Sequence, residues 1–385
     1  MKIKRVGIFG STGSIGKQTL EVIDISPDLF SVEILTANNN ATLLIEQALK
    51  YKPNMVVIAN ELKYEEVKEA LKNTDIKVFA GTKSVEDVAK LDCYDIMVAG
   101  LVGIAGLIPT MHAIEQGKTI ALANKETLVV AGDLIIKAAN LNQSKIIPVD
   151  SEHAAIFQCL VGEMDYSINR VILTASGGPF LGKKIDFLKN VKAAQAIKNP
   201  NWEMGKKVSI DSSSLMNKGL EMIEAKWLFN LTPKQIDVIV HPQSIIHSMV
   251  EFTDGSIKAQ LSNPDMRLPI QYALNFPFRG HNDFPKLQFN KLKELNFEEP
   301  DLKSFRNLEL AIYAMNKGGN FPCILNAANE VVVEAFILDK VGFIEMSDII
   351  EKTLLHFNHQ IPSNLSSYFE IDKNARTFAN SIIKN

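Results

Sequence analysis

The stretch MKIKRVGIFGSTGSIGKQTLEVI, residues 1–23, sets glycines at positions 10, 13 and 16 between a short apolar run and a helical pattern. A strand that reverses into a helix needs glycine where the backbone turns sharply or where a ligand comes close to the amides. The helix start behind it offers free N–H groups and a partial positive charge, which together suit a phosphate. The spacing is G-x-x-G-x-x-G, with Ser11 in the place where the common dinucleotide fingerprint has its first glycine. By itself such a turn also fits a plain strand-to-helix connection.

The chain beyond the turn narrows the choice. Through residue 149 short Val- and Ile-rich runs (RVGIFG, SVEILTA, NMVVIA, IKVFA, DIMVAG, KTIALA, KIIPV) read as strands. Helical patterns stand between several of them: KQTLEVIDIS, ATLLIEQALKY, YEEVKEALKN and LVGIAGLIPTMHAIEQ. That alternation predicts an α/β fold with a mostly parallel sheet covered by helices. In NAD-binding folds a carboxylate about 20 residues beyond the turn takes the adenosine ribose. Here SVEILTA ends in Asn38, Asn39 and Asn40. Three amides do not repel a ribose phosphate as a carboxylate would, so NADPH is favoured over NADH.

Near residue 150 the texture changes. RVILTASG, KVSID, IDVIVHPQSIIHSMVEFT and SIKAQLS read as strands, with Asp254-Gly255 as a hairpin turn, which predicts an α+β segment with antiparallel pairing. From about 277 to 300 the chain is irregular and charged and reads as a linker. Beyond it NLELAIYAMNK, CILNAANEVVVEAFILDK and MSDIIEKTLLHF read as amphipathic helices. The expected division is 1–149, 150–276, a 277–300 linker, and 301–385.

Composition excludes several classes of function. With 385 residues, 22% charged residues and a formal net charge of −3, nothing in the electrostatics calls for nucleic acid. No apolar run reaches the ~18–20 residues that span a bilayer. The apolar part of the N-terminus is too short for a signal peptide. Cys93, Cys159 and Cys323 lack metal or redox spacing and read as reduced, buried thiols of a cytoplasmic protein.

Two further stretches carry chemistry. In PVDSEHAAIFQ, residues 148–158, Asp150 and Glu152 flank Ser151. On an extended segment residues two apart face the same side, so both carboxylates could meet one hard divalent cation. A solvated acidic turn, with Ser151 merely capping EHAAIFQCL, is the competing reading. In MNKGLEMIEAKWLF, Met216, Leu220, Ile223 and Trp227 form a core stripe, while Asn217 and Glu221 share a flank with Lys218 adjacent. An exposed polar face would explain that pattern too. Ser176 before Gly177-Gly178 makes a tight turn with a hydroxyl, suited to phosphate. Trp202, in a loop of PNWEMG, suggests a cover over a site or a buried anchor. His241 and His247 lie on strand-like segments and read as core or supporting residues, not ligands.

Taken in order, GSTGSIG, ALANKETLV, PVDSEHAAIFQ, TASGGPF, PNWEMGKKVSIDSSSLMNKGLE and HPQSIIHSMVEFTDGSIKAQLS resemble the 1-deoxy-D-xylulose 5-phosphate reductoisomerase family over essentially the whole chain. The resemblance implies a Rossmann-like NADPH-binding domain, an α+β catalytic domain that also carries a homodimer contact, and a C-terminal helical domain. It places NADPH on Thr12, Gly13, Ser14, Ile15, Asn39, Asn40, Asn124, Glu126 and Gly205. Metal falls to Asp150, Glu152 and Glu221, with Mg²⁺ or Mn²⁺ expected and Co²⁺ as a further option. Substrate falls to Lys125, Ser151, Glu152, Ser176, Asn199, Ser212, Asn217, Lys218 and Glu221. Lys125, Asp150, Glu152 and Glu221 are then the catalytic set. Two positions depart from the family pattern: Asn199 stands where many members have His, and Asn39 where many have a basic residue. The implied reaction rearranges a small phosphorylated sugar and reduces the resulting aldehyde. A metal-independent NADP-dependent dehydrogenase, which would stay active in a strong chelator, and a non-catalytic NADP-binding regulator are the alternatives.

Overall fold

The computed structural model describes residues 3–163, 167–198 and 205–383. The chain divides into two compact units. The first comprises residues 1–127, 135–154 and 265–284, and the second residues 128–134, 155–264 and 285–385.

The first unit runs β1 (Lys4–Phe9), α1 (Ser14–Ile25), β2 (Phe30–Ala37), α2 (Ala41–Tyr51), β3 (Met55–Ile58), α3 (Tyr64–Leu71), β4 (Lys77–Ala80) and α4 (Thr82–Val88). It continues through β5 (Ile96–Ala99), α5 (Leu107–Glu115), β6 (Thr119–Leu122), part of α6 (Glu126–Leu141), β7 (Ile146–Pro148) and the start of α7 (Ser151–Leu160). All seven strands expected from the sequence are present, paired in parallel in the order β4-β3-β2-β1-β5-β6-β7. Strands covered on both faces bury every side chain, so they read as apolar runs with no alternation. Val6, Ile8, Phe9, Val56, Val57, Met97, Val98 and Ile120 are all buried accordingly. The order reverses between β1 and β5. In open α/β sheets that is where a ligand crevice opens, beyond the carboxyl ends of the strands.

The second unit adds β8 (Ile168–Ala175), α8 (Ile185–Leu188), α9 (Ala193–Ala196), α10 (Lys206–Ser213), α11 (Met216–Leu228), β9 (Ile236–Val240), β10 (Ile246–Phe252) and β11 (Ile257–Leu261). Its sheet is mixed, in the order β11-β10-β8-β9, with β8 and β9 parallel. The β10–β11 hairpin turns at Asp254-Gly255 as read, with Gly255 at φ +84°. The chain then returns α12 (Arg267–Asn275) to the first unit, where it packs on α1, β6 and β7. Four helices complete the second unit: α13 (Arg306–Lys317), α14 (Phe321–Ile337), α15 (Phe343–His356) and α16 (Leu365–Ile382). One apolar cluster there joins α11, α13, α14 and α15 to the inner face of the mixed sheet.

Two local expectations are corrected. KVSID alternates apolar and polar residues like a strand, yet it lies in helix α10. Its consecutive residues Ser209, Ile210 and Asp211 are all buried, which no one-sided strand would show. Tertiary partners override the local pattern: the Asn329 amide donates to Asp211 at 2.8 Å, and Lys207 pairs with Asp211 at 3.0 Å one turn away. Second, Cys93 is only partly buried, although Cys159 and Cys323 are buried as expected. Burial raises all three thiol pKa values, that of Cys159 to about 11. Among the described residues, no helix is long and apolar enough to cross a membrane.

Candidate active site

The glycine turn closes as its sequence predicts. The N–H of Ser11 donates to Thr36 O at 2.8 Å, that of Gly13 to Gly10 O at 3.1 Å, and the Gln47 amide donates to Ser11 O at 2.9 Å. Gly10 has φ +93°, and a Cβ there would lie 2.8 Å from Gly100 O. A Cβ on Gly16 would sit 2.4 Å from Gly10 O. These glycines let α1, the β1 turn and the chain after β5 meet backbone to backbone. Gly13 caps α1 without any side-chain hydrogen bond, which leaves first-turn amides for an anion.

At the end of β2 stand Asn38, Asn39 and Asn40, all exposed. The Asn40 side chain caps α2 by accepting from Leu43 N–H at 3.1 Å, and Asn39 accepts from the Asn60 amide at 2.9 Å. Among the described residues, those that follow β2 at 38–40 carry amides and no carboxylate. The turn, its uncapped helix and these amides therefore suit a dinucleotide with a ribose phosphate.

Along the same edge, Lys125 follows β6 and Asp150 follows β7. Their side chains, 10% and 14% exposed, form a 2.5 Å ion pair. The expected reason for grouping Asp150 with Glu152 is corrected here. The segment is not extended: the Asp150 carbonyl accepts Ala154 N–H at 2.8 Å, and Ser151 and Glu152 are the first residues of α7. Ser151 is therefore inside the helix, and its hydroxyl donates to Glu152 Oε2 at 2.5 Å. Neither Ser151 nor Lys125 is exposed, so this is no solvated acidic turn. Sequence reading passed over His153, which is fully buried with Nδ1 3.8 Å from Asp150 Oδ2. Its place directly after the D-S-E string was the available signal.

In the second unit α11 is buried over most of its surface. Lys218 and Glu221 pair at 2.5 Å, and Asn217 donates to Glu221 at 2.5 Å. Glu224, which the sequence reading did not single out, is buried one turn further on. Ser176 accepts Gly178 N–H at 3.3 Å, and Gly177 and Gly178 take φ +80° and +66°. The Ser176 turn meets the end of α10 so closely that a Cβ on Gly178 would lie 2.8 Å from Ser212 O. Ser176 and Ser212 thus adjoin within this unit. Gly205 caps α10. His241 and His247 are buried and hydrogen-bonded to Asn296 O at 2.9 Å and Ser262 Oγ at 2.8 Å, in keeping with supporting roles. Asn199 and Trp202 lie outside the described residues.

A doubly wound parallel sheet with this turn, and a lysine–carboxylate pair on the same strand-end edge, defines a dinucleotide-dependent oxidoreductase. Family models narrow the class. The 1-deoxy-D-xylulose 5-phosphate reductoisomerase model matches residues 6–132. The two models for C-terminal domains of that enzyme match residues 146–229 and 261–378. The reductoisomerase of Bacteroides fragilis is 55% identical over 383 residues, 100% of this chain and 99% of its own length. The Zymomonas mobilis enzyme, solved in complex with NADPH, is 42% identical with a TM-score of 0.93, covering 100% of both chains. A DOX-P reductoisomerase solved with NADPH, fosmidomycin and magnesium is 38% identical with a TM-score of 0.95, covering 99% of this chain and 98% of that one. The chain belongs to the 1-deoxy-D-xylulose 5-phosphate reductoisomerase family.

Proposed function

We infer that this chain converts 1-deoxy-D-xylulose 5-phosphate to 2-C-methyl-D-erythritol 4-phosphate, using NADPH and a divalent metal, for isoprenoid precursor synthesis. The observation that carries the reading is the Lys125–Asp150 pair, at the ends of adjacent strands on the edge that bears the glycine turn. Carboxylate oxygens are the donors that Mg²⁺ or Mn²⁺ prefers. Asp150 and Glu152 from the first unit and Glu221 from the second are assigned as ligands on the family resemblance, and the donor chemistry fits. When bound, the metal supplies Lewis acidity at the substrate oxygens and NADPH supplies the hydride.

The chain's own residues do the rest. Lys125 offers a positive charge where oxyanion character develops, and its burial strengthens that interaction. Ser176, Ser212, Asn217 and Lys218 supply hydroxyl, amide and ammonium donors for the substrate phosphate, while Ser151, Glu152 and Glu221 are assigned to the rest of the substrate. Thr12, Gly13, Ser14 and Ile15 cradle the pyrophosphate, while Asn39 and Asn40 face the adenosine ribose. Asn124, Glu126 and Gly205 complete the cofactor set. Asn199 is assigned to the phosphate on sequence alone. The chain is read as a cytoplasmic homodimer. Three free cysteines suit a reducing compartment, and sedimentation would test the dimer.

The deciding experiment follows NADPH oxidation with deoxyxylulose phosphate, with and without Mg²⁺ or Mn²⁺. Metal-dependent oxidation with formation of the branched polyol phosphate is expected. Full activity in excess chelator would replace this reading with the metal-independent dehydrogenase.

A further inference from the structure

Asn124 immediately precedes the lysine of the active-site edge, and its side chain is committed to the protein itself. It is 2% exposed. Its Oδ1 accepts from Thr127 N–H and from Thr127 Oγ1, both at 2.8 Å. Its Nδ2 donates to Leu101 O and, at 2.9 Å, to Gly103 O. An amide has two N–H donors and one carbonyl oxygen with two lone pairs, so these four bonds use its full capacity. The two carbonyls it holds flank Val102 in sequence. Val102 is 68% exposed, an apolar side chain presented outward on a backbone anchored from both sides.

The loop is fixed elsewhere too. Gly103 takes φ +69°, and a Cβ on Gly106 would meet Asn124 Nδ2 at 2.8 Å. Gly10 of the dinucleotide turn packs on the backbone at Gly100 and Leu101. Residues 101–106 therefore border the crevice where the strand order reverses between β1 and β5. A dinucleotide with its adenosine ribose at the end of β2 and its pyrophosphate at the start of α1 extends past that reversal, so its nicotinamide half falls over β5 and β6.

We propose that Asn124 serves the cofactor as a positioning residue: its amide holds the 101–106 loop so that Val102 covers the nicotinamide end of NADPH. This rests on the NADPH reading above. A flat dihydronicotinamide ring laid on a pre-placed aliphatic side chain gains contact without the entropic cost of ordering a loop. Asn124 then contributes to affinity through Val102 and not by a side-chain contact of its own.

The test titrates NADPH and adenosine 2′,5′-bisphosphate, which lacks the nicotinamide half, into wild type, Val102→Ala, Asn124→Asp and the double variant. Asp keeps the acceptors for Thr127 but loses both donors to the loop. Each single variant should weaken NADPH by about fivefold or more, on the scale of one lost apolar contact. Each should leave the bisphosphate within about twofold. The double variant should match Asn124→Asp alone, because a displaced loop has already lost the Val102 contact. Unchanged NADPH affinity in Val102→Ala, multiplying losses in the double variant, or equal loss of the bisphosphate would each overturn the proposal. Should Asn124→Asp fail to fold, Gly106→Ala displaces the same amide and must show the same split between the two ligands. Wild type that binds no NADPH would overturn the cofactor reading itself, a result separate from these.

Discussion

Lys218 and Glu221, one turn apart on α11, form a 2.5 Å ion pair with side chains only 4% and 0% exposed. A buried pair is costly to assemble, and costlier to break from one side, because a buried charge then loses its main compensation. Glu221→Ala should therefore destabilise the protein by about 3 kcal/mol or more, an unusually large effect for an active-site substitution. Urea denaturation measures it. An unchanged midpoint would mean that Lys218 does not depend on this carboxylate, and would weaken the case for Glu221 as a fixed ligand.

Asp150 should behave differently. Its partner Lys125 is 10% exposed and its own carboxylate lies at a strand end, so Asp150→Asn keeps the shape and leaves an amide oxygen that can still face the Lys125 ammonium. Turnover should drop by about 10²-fold or more as one charged ligand is lost, while the protein stays folded. The loss should deepen at limiting Mn²⁺. Near-normal turnover there would leave the carboxylates as structural charges only.

The parallel sheet was legible because strands buried on both faces leave nothing for the sequence to hide. The helix over Glu126–Leu141 was not read: it opens on an apolar run, and it contains a non-helical residue at Ala131 (φ −139°, ψ 39°) that interrupts its period. The stretch KVSID misled because its helix depends on Asn329, 118 residues away from Asp211. The candidate site was legible in residue type more than in geometry. Asp150 and Glu152 were grouped by an extended-chain argument that the helix start overturns. The Lys125–Asp150 pair joins the ends of two strands, which no local spacing reveals, whereas Lys218 and Glu221 stand three apart on one helix and only their burial lay beyond the sequence.

Cofactor choice follows from the asparagine triplet. Asn39 is exposed, and its side chain accepts a hydrogen bond from the half-buried Asn60 amide. Replacing it costs little stability, since surface changes usually fall within about 0.5 kcal/mol. NADPH should be preferred to NADH in the wild type. Asn39→Arg should sharpen the preference by offering a fork of N–H donors to the ribose phosphate. Steady-state rates with both cofactors at equal concentration decide it, and better use of NADH by the wild type would refute the reading of the triplet.

Gly178 provides the sharpest test of how the phosphate side of the site is built. It sits at φ +66°, and an added Cβ would lie 2.8 Å from Ser212 O and 3.0 Å from Ser213 Cα, all backbone that cannot rotate away. Its N–H is also the group that Ser176 Oγ accepts, so any shift of Gly178 moves Ser176 and Ser212 apart. Gly178→Ala should carry a backbone strain of about 1–3 kcal/mol. The larger effect should fall on substrate: displacing two phosphate donors by part of an ångström should raise KM for deoxyxylulose phosphate by about tenfold or more, given how steeply binding geometry controls rate. NADPH affinity should stay within about twofold, because of the residues assigned to the cofactor only Gly205 shares a unit with Gly178, and the glycine turn does not. Paired titrations with NADPH and with a phosphonate analogue separate the outcomes. Equal losses of both ligands would point to general unfolding, and unchanged analogue binding would remove Ser176 and Ser212 from the phosphate contacts.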